Sequence, residues 1–282
     1  MLNINTNYAA SFAANAAKQS SSGLNTAMER LSSGSRINYA KDDAAGQAIS
    51  ARLTAEVQGV AMASRNAADA QSMIDTTDGA LAETHNLLLR MRELAVQAAN
   101  GTLNADDRTA LDAEYQQLET EITRIDGNTT FAGTALFDGS TKNFQVGAKS
   151  GEQVSHVFTS MSATDILAKI DHDANGSTAT ADADIKTTIA AQATITMLDA
   201  SIKTVSTERG KLGALSNRLS STISNLDQVG VNLSASKGRI ADADFAAETG
   251  NLAKNQILQQ AATAMLAQAN ASKGSILALI RN

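Results

Sequence analysis

The chain has 282 residues, a net charge of −6, no Cys, no Pro and no Trp, and only 3% aromatic residues. The lack of Cys excludes a disulfide framework, a thiolate nucleophile and any Cys-based metal site. The scattered Lys and Arg leave no basic face for nucleic acid. Pro costs roughly 3 kcal/mol inside a helix, so its absence beside abundant Ala, Leu, Gln and Glu predicts long, uninterrupted helices. The start, Met1-Leu2-Asn3-Ile4-Asn5, has neither a basic n-region nor an apolar h-region, so no secretory signal peptide is expected. No apolar run approaches the ~20 residues of a membrane helix, and no membrane insertion is expected.

In chain order, Ile4, Tyr8, Phe12, Leu24, Met28 and Leu31 predict an amphipathic first helix, weakened in its middle by Gln19-Ser20-Ser21-Ser22-Gly23. Ser32-Ser33-Gly34-Ser35 breaks it, and Asp42 or Asp43 is a suitable N-cap for the next element. From Ala44 to about Asn100 one long helix is expected. Its apolar stripe is Ile49, Leu53, Val57, Val60, Ala67, Ile74, Leu81, Leu88 and Ala95. Asn100-Gly101 should stop it. Asn104 with Asp107 then resembles a cap with an acidic first-turn partner, opening a helix carrying Leu111, Tyr115, Leu118, Ile122 and Ile125.

Asp126-Gly127-Asn128 ends that helix. Short apolar runs between 131 and 158 alternate with turn pairs such as Asp138-Gly139 and Ser150-Gly151, which predicts a small β-hairpin region. A short helical stretch at 165–170 follows, then a polar segment at 171–184. Asp171, Asp173 and Asn175 lead into Gly176 like the opening of a calcium loop, and Asp182 falls at its closing position. Alternating oxygen ligands around a Gly turn suit calcium. The closing Asp is shorter than the usual Glu, and the same composition suits a plain polar linker.

Further on, Leu198, Val205, Leu212, Leu219, Leu226 and Leu233 recur every seventh residue. Ile195, Ile202 and Ile223 occupy a companion row interrupted by Arg209 and Ser216. This is a coiled-coil seam. Gly210 and Gly213 lie inside it, as close-packing points or as weak points. The last helix is expected from Asp242 to about Ala271, with Leu258, Ala262, Met265, Ala269 and Ile276 on one face. The fold class is therefore mainly α: a long helical coiled-coil rod with a small β-hairpin region and the N- and C-terminal helices left over at the chain ends. Single helices of that kind are marginal in water and should stay poorly ordered until another chain covers them. The periodicity describes a self-assembling subunit without saying which assembly; a coiled-coil scaffold inside the cell fits the heptads equally well.

No constellation for catalysis emerges. His85, His156 and His172 are isolated, and neither a Gly-x-Ser-x-Gly elbow nor a Gly-rich phosphate loop is present. No enzyme and no cofactor are expected.

The two ends carry a family resemblance. Leu31-Ser32-Ser33-Gly34-Ser35-Arg36-Ile37-Asn38, followed by Ala40-Lys41-Asp42-Asp43-Ala44-Ala45-Gly46, resembles the N-terminal motif of bacterial flagellins. Ala241-Asp242-Ala243-Asp244-Phe245, Gln256-Ile257-Leu258-Gln259-Gln260-Ala261 and Met265-Leu266-Ala267-Gln268-Ala269-Asn270 resemble the C-terminal one, as does the ending Ile276 to Asn282. The resemblance implies a secreted structural subunit that polymerises into the extracellular flagellar filament for motility. A hook–filament junction protein, with similar termini, is the alternative. It implies an inner coiled-coil domain of residues 1–43 plus 242–282. A rod-shaped domain of 44–241 follows, with no outer variable domain where 171–184 stands. At Ala271-Ser272-Lys273-Gly274 the family commonly has a Pro-containing break; here Gly274 can only loosen the helix.

The implied partners are the chain itself, the flagellar type III export apparatus and an export chaperone, and the filament cap and hook-junction proteins. The mammalian Toll-like receptor for flagellin is added by a segment similar to the one that receptor binds. Arg90, Leu94, Gln97 and Glu114 match its pattern. The same surface takes part in packing between subunits.

Overall fold

The computed structural model describes residues 6–161 and 184–280. The helical stretch expected at 165–170 and the polar segment at 171–183 lie outside the described residues. In chain order the elements are α1 (Tyr8–Ser33), α2 (Ala44–Ala98), α3 (Ala105–Asn128), β1 (Thr130–Phe131), β2 (Thr134–Ala135), β3 (Thr141–Gln145), β4 (Gln153–Val157), α4 (Thr188–Ala241) and α5 (Phe245–Ile280).

Local chemistry sets the ends of these helices. Asn7 caps α1 by accepting from the Ala10 amide, and Gly34 closes it in the left-handed region at φ 70°, where only Gly avoids strain. Of the two candidate caps for α2, Asp43 does the capping: its Oδ1 accepts from Gly46 N at 2.8 Å. At the other end of α2, the Arg108 side chain donates to the carbonyls of Ala98 and Asn100, satisfying acceptors that a helix end leaves unpaired. Asn104 and Asp107 form a reciprocal capping box on α3. The hairpins fall in the expected region; Ser150-Gly151 lies in the turn of the second, whereas Asp138-Gly139 links the two and the first turns at Ala132-Gly133. In the first, β1 pairs antiparallel with β2, and both Ala132 and Gly133 at its turn have positive φ, as a primed turn requires. In the second, β3 pairs antiparallel with β4, from Thr141 opposite Val157 to Gln145 opposite Gln153.

The chain divides into two compact units. One is Gln58–Gly230; the other combines the chain up to Val57 with the chain from Val231 onward. The division falls inside α2 and α4.

Within Gln58–Gly230 the core is a heptad seam. On α2 it comprises Val60, Ala63, Ala67, Ala70, Ile74, Thr77, Leu81, Thr84, Leu88, Met91, Ala95 and Ala98, all buried and alternately three and four residues apart. On α4 the matching set is Ala191, Thr194, Leu198, Ser201, Val205, Leu212, Leu215, Leu219 and Leu226. A 3.5-residue period keeps a seam facing its partner. This corrects the companion row on α4. The fully buried row is Thr194, Ser201 and Leu215, whereas Ile195, Ile202 and Ile223 are half-buried and pack against the core from its flank. The small hydroxyl residues fit because each satisfies itself locally: Thr77, Thr84 and Ser201 donate to the carbonyls of Met73, Ala80 and Met197. Polar rungs border the seam at Ser64–Asp227, Gln71–Ser216, Arg209–Asp78 and Arg92–Asp199. Gly210 and Gly213 are exposed, and a Cβ added at either would meet nothing within 4 Å. They are weak points of the helix and not close-packing points.

The third helix adds Tyr115 and Ile122 to this core, and the hairpin region adds Phe137, Val154 and Phe158. Two carboxylates of α3 also hold the ends of the neighbouring chain. Asp126 accepts from Met161 N at 2.7 Å. The buried Asp112 accepts from Ile185 N at 3.1 Å and pairs with Lys186 at 3.3 Å.

In the other unit α1 packs along α5. The first helix is unbroken through Gln19–Gly23, contrary to the weakening expected there. Gly23 and the buried Ser20 are sites of close approach: a Cβ on Gly23 would lie 2.8 Å from Asn255 Nδ2. The covered row of α1 is Ala10, Ala13, Ala17, Ser20, Leu24, Ala27 and Leu31, again on a three-four spacing. On α5 it is Glu248, Leu252, Asn255, Gln259, Ala262, Leu266 and Ala269. The expected stripes are only partly covered: Leu24 and Leu31 on α1 and Ala262 and Ala269 on α5 lie in these rows, whereas Tyr8, Phe12 and Met28 on α1, and Leu258 and Met265 on α5, are exposed, as is Ile49 at the start of α2. The last helix also passes through Ala271–Gly274 without a break, to Ile280.

Candidate interaction surfaces

Two surfaces stand out, one in each unit. The first lies where α2 meets α3. Arg90 donates through Nε and Nη2 to Glu114 Oε1 at 3.0 and 2.8 Å, and through Nη1 to Glu93 Oε2 at 3.0 Å. Glu114, then Glu93, raise the guanidinium pKa above its usual value. All three groups are largely exposed, so solvent screens the pairs and they add little stability; their effect is to hold Arg90 in one orientation. Gln97 is exposed nearby on α2. Leu94, expected with them, is 1% exposed and belongs to the core. Its one-turn spacing from Arg90 is real, but it anchors α2 against the seam and presents nothing outward. Leu89 and Val96, which the resemblance did not single out, are the exposed apolar residues of this stretch.

The second surface is the α1–α5 pair. Its interior is small and partly polar. Arg30 Nη1 reaches the mostly buried Glu248 at 3.7 Å, Asn251 donates to the same carboxylate at 3.2 Å, and Asn7 Nδ2 donates to the Ala269 carbonyl at 3.2 Å. These contacts fix the register of two Ala-rich helices whose burial alone would do so weakly. Outside, Phe12 is 72%, Leu258 45% and Met265 60% exposed. With Ala16, Gln19 and Lys254 they line a groove of about 530 Å³. Tyr8, Phe245 and Ile257 are exposed elsewhere on the same two helices. A soluble monomer seldom leaves this much large apolar surface in one place without a partner for it.

A polar clasp closes the same unit where the chain leaves α1. Arg36 N donates to the Ala241 carbonyl at 2.7 Å, Arg36 Nη2 to the Ile240 carbonyl at 2.7 Å, and Ala243 N to the Gly34 carbonyl at 3.0 Å. Asp42 Oδ2 accepts from the amides of Tyr39 and Asn38, and the Tyr39 amide above all lowers its pKa. The Ser-Ser-Gly-Ser-Arg motif thus works as a backbone clasp.

His156 on β4 meets Phe158 edge-to-face at 4.8 Å. Burial lowers its pKa, Glu208 opposes that shift and Lys211 adds to it. His172 and the calcium candidates Asp171, Asp173, Asn175 and Asp182 lie outside the described residues.

Residues 4–142 match the family model for the bacterial flagellin N-terminal helical region, and residues 195–280 match the one for the bacterial flagellin C-terminal helical region. A flagellin of Halalkalibacterium halodurans is 46% identical over 257 residues, covering 90% of this chain and 91% of that protein. A flagellin of Bacillus subtilis is 40% identical over 307 aligned positions, covering 99% of this chain and 100% of that protein. Among solved structures, a Bacillus cereus flagellin aligns at 33% identity over 57% of this chain and 88% of that one, with a TM-score of 0.47.

Proposed function

Because the chain belongs to the bacterial flagellin family, whose members are structural subunits of the extracellular flagellar filament, we propose that its polymerising surface is the outward face of the α1–α5 pair. One observation carries this. The pair closes largely on Ala and Ser, with Leu24, Leu31, Leu252 and Leu266 half-buried, and leaves Phe12, Ile257, Leu258 and Met265 outside, where a self-sufficient pair would cover them. Burying each of those side chains against another copy contributes about 1.5–3 kcal/mol. Relatives named flagellin do not favour the junction-protein alternative. Deleting about the last 30 residues should abolish polymerisation while leaving the seam of Gln58–Gly230 helical, because single helices of the size left behind are marginal. Circular dichroism and sedimentation would check it, and filaments formed by the truncated chain would overturn it.

In this reading residues 1–43 with 242–282 are the inner domain and residues 44–241 the rod domain of the filament, and the chain is not an enzyme. It reaches the outside unfolded through the flagellar type III apparatus, with an export chaperone, and meets the hook-junction and cap proteins there. A chain without Cys makes no stray cross-links on that route, and a chain without Pro avoids slow isomerisation on refolding.

The Arg90–Glu114 pair supports a second role for the monomer, as the patch bound by the mammalian Toll-like receptor for flagellin, with Gln97 beside it. Arg-centred patches are frequent anchors of interfaces. Replacing Arg90 and Glu114 together by Ala should weaken receptor binding by more than ~2 kcal/mol with the fold intact. Unchanged receptor activation by the folded double mutant removes this role.

A further inference from the structure

We propose that Met265 is an oxidation site through which peroxide prevents the free subunit from polymerising. The inference rests on the reading of the α1–α5 face as the polymerising surface. The chain has no Cys and no Trp, so its only sulfur is that of methionine, and methionine is its readiest two-electron reductant. The fold then sorts those methionines by access. Met91, Met161 and Met197 are buried, whereas Met28, Met62 and Met265 are 54%, 47% and 60% exposed. Of these three, Met265 alone lines the groove between α1 and α5, beside Phe12 and Leu258.

In the reaction a thioether lone pair attacks one peroxide oxygen and the O–O bond breaks. An S–O bond forms and water leaves; sulfur is oxidised by two electrons and the peroxide is reduced by two. The product carries a polar, chiral sulfoxide where an adaptable apolar side chain stood. Its oxygen is a strong acceptor in a lining that is otherwise apolar, where the polar side chains are Gln19, Ser20, Lys254 and Asn255 and the Ser20 hydroxyl is already donated to the Ala16 carbonyl. A second copy closing over the groove would have to strip water from that oxygen without replacing its hydrogen bonds, which opposes association. The same closure covers Met265 in an assembled subunit, so the free subunit is the sensitive form.

The test uses the purified full-length monomer, treated with hydrogen peroxide and quenched with catalase. Peptide mass spectrometry gives the sulfoxide content at each methionine, and seeded polymerisation is followed by sedimentation. Loss of polymerisation should track oxidation of Met265, at least tenfold in rate when that site is fully converted. Met265→Leu, which keeps volume and apolarity, should polymerise and resist peroxide, while Met28→Leu and Met62→Leu stay sensitive. Treatment with a methionine sulfoxide reductase and dithiothreitol should restore the oxidised wild type. Normal polymerisation of the fully oxidised protein, or equal sensitivity in Met265→Leu, overturns the proposal. Met265→Gln separates the two levels. If it polymerises normally without any oxidant, the face is not the polymerising surface and both ideas fall. If it fails to polymerise while oxidised wild type succeeds, the surface stands and the oxidation site does not.

Discussion

The α2–α4 seam and the α1–α5 pair follow the same three-four spacing and bury opposite kinds of residue. In the seam, rows of Leu, Ile and Val face inward with Ala, Thr and Ser between them, so large and small side chains interdigitate. In the terminal pair the covered rows are mostly Ala, Ser and polar residues, with Leu24, Leu31, Leu252 and Leu266 half-buried among them, while Phe12, Leu258 and Met265 are left on the surface. Periodicity states that a helix has a partner face; residue size states whether that face is enough. The seam is enough for the monomer, and in the proposed reading the pair is half of a larger interface.

The strongest way to break that contrast is to place a charge in the closed region. Leu219 is fully buried, so Leu219→Asp should cost about 3–5 kcal/mol of monomer stability, seen as a large drop in Tm; a small drop would mean the seam does not bear the stability assigned to it. Phe12→Ser, at the exposed face, should change monomer stability by less than ~0.5 kcal/mol yet slow polymerisation severely. A mutant that unfolds early but still assembles reverses the comparison. Ala27→Leu enlarges the interior of the terminal pair, where Ala27 is buried, and overpacking of that kind costs about 1–3 kcal/mol. The loss should appear as faster amide exchange in α1 and α5 with α4 unaffected.

Gly210→Ala and Gly213→Ala sharpen the picture from the stabilising side. Each Cβ has open space around it, so each should add about 0.5–1 kcal/mol in denaturant melts. The smallest effect is with pH. The pKa of His156 is lowered in the folded state from 6.5, so the unfolded chain binds more protons over the window from that folded value up to 6.5. Stability therefore rises with pH through that window and is lost as pH falls below 6.5. His156→Gln should flatten the dependence, measured by urea melts of the monomer at a series of pH values.

Much of this was legible in the residues. The large row of α2 and the Leu row of α4 were countable because Leu, Ile and Val announce burial. The capping box at Asn104 and Asp107, the Gly34 stop and the Ser150-Gly151 turn rest on local chemistry that short motifs encode, whereas the Ala132-Gly133 turn is not among the expected turn pairs. The companion rows were not legible by hydrophobicity, because Thr77, Thr84, Thr194 and Ser201 look polar until their hydroxyls are seen bonded to backbone carbonyls or, for Thr194, to the Asp184 carbonyl. Counting spacing without weighting for hydrophobicity would have found them. The terminal helices misled for the same reason in reverse. Tyr8, Phe12, Leu258 and Met265 belong to the apolar stripes, yet they lie outside the covered rows and stay exposed. At the α2–α3 surface, spacing placed Leu94 beside Arg90 but could not show which side of the helix the core takes.

The two carboxylates of α3 have a consequence for anything the chain carries between Met161 and Ile185. Asp126 and Asp112 are fourteen residues apart on one rigid helix, about 21 Å at 1.5 Å per residue. Departure and return are thus moored to the same beam at a fixed distance. Whatever sequence joins them inherits a footprint that it does not have to build. The beam itself is anchored in the core of its unit by Tyr115 and Ile122.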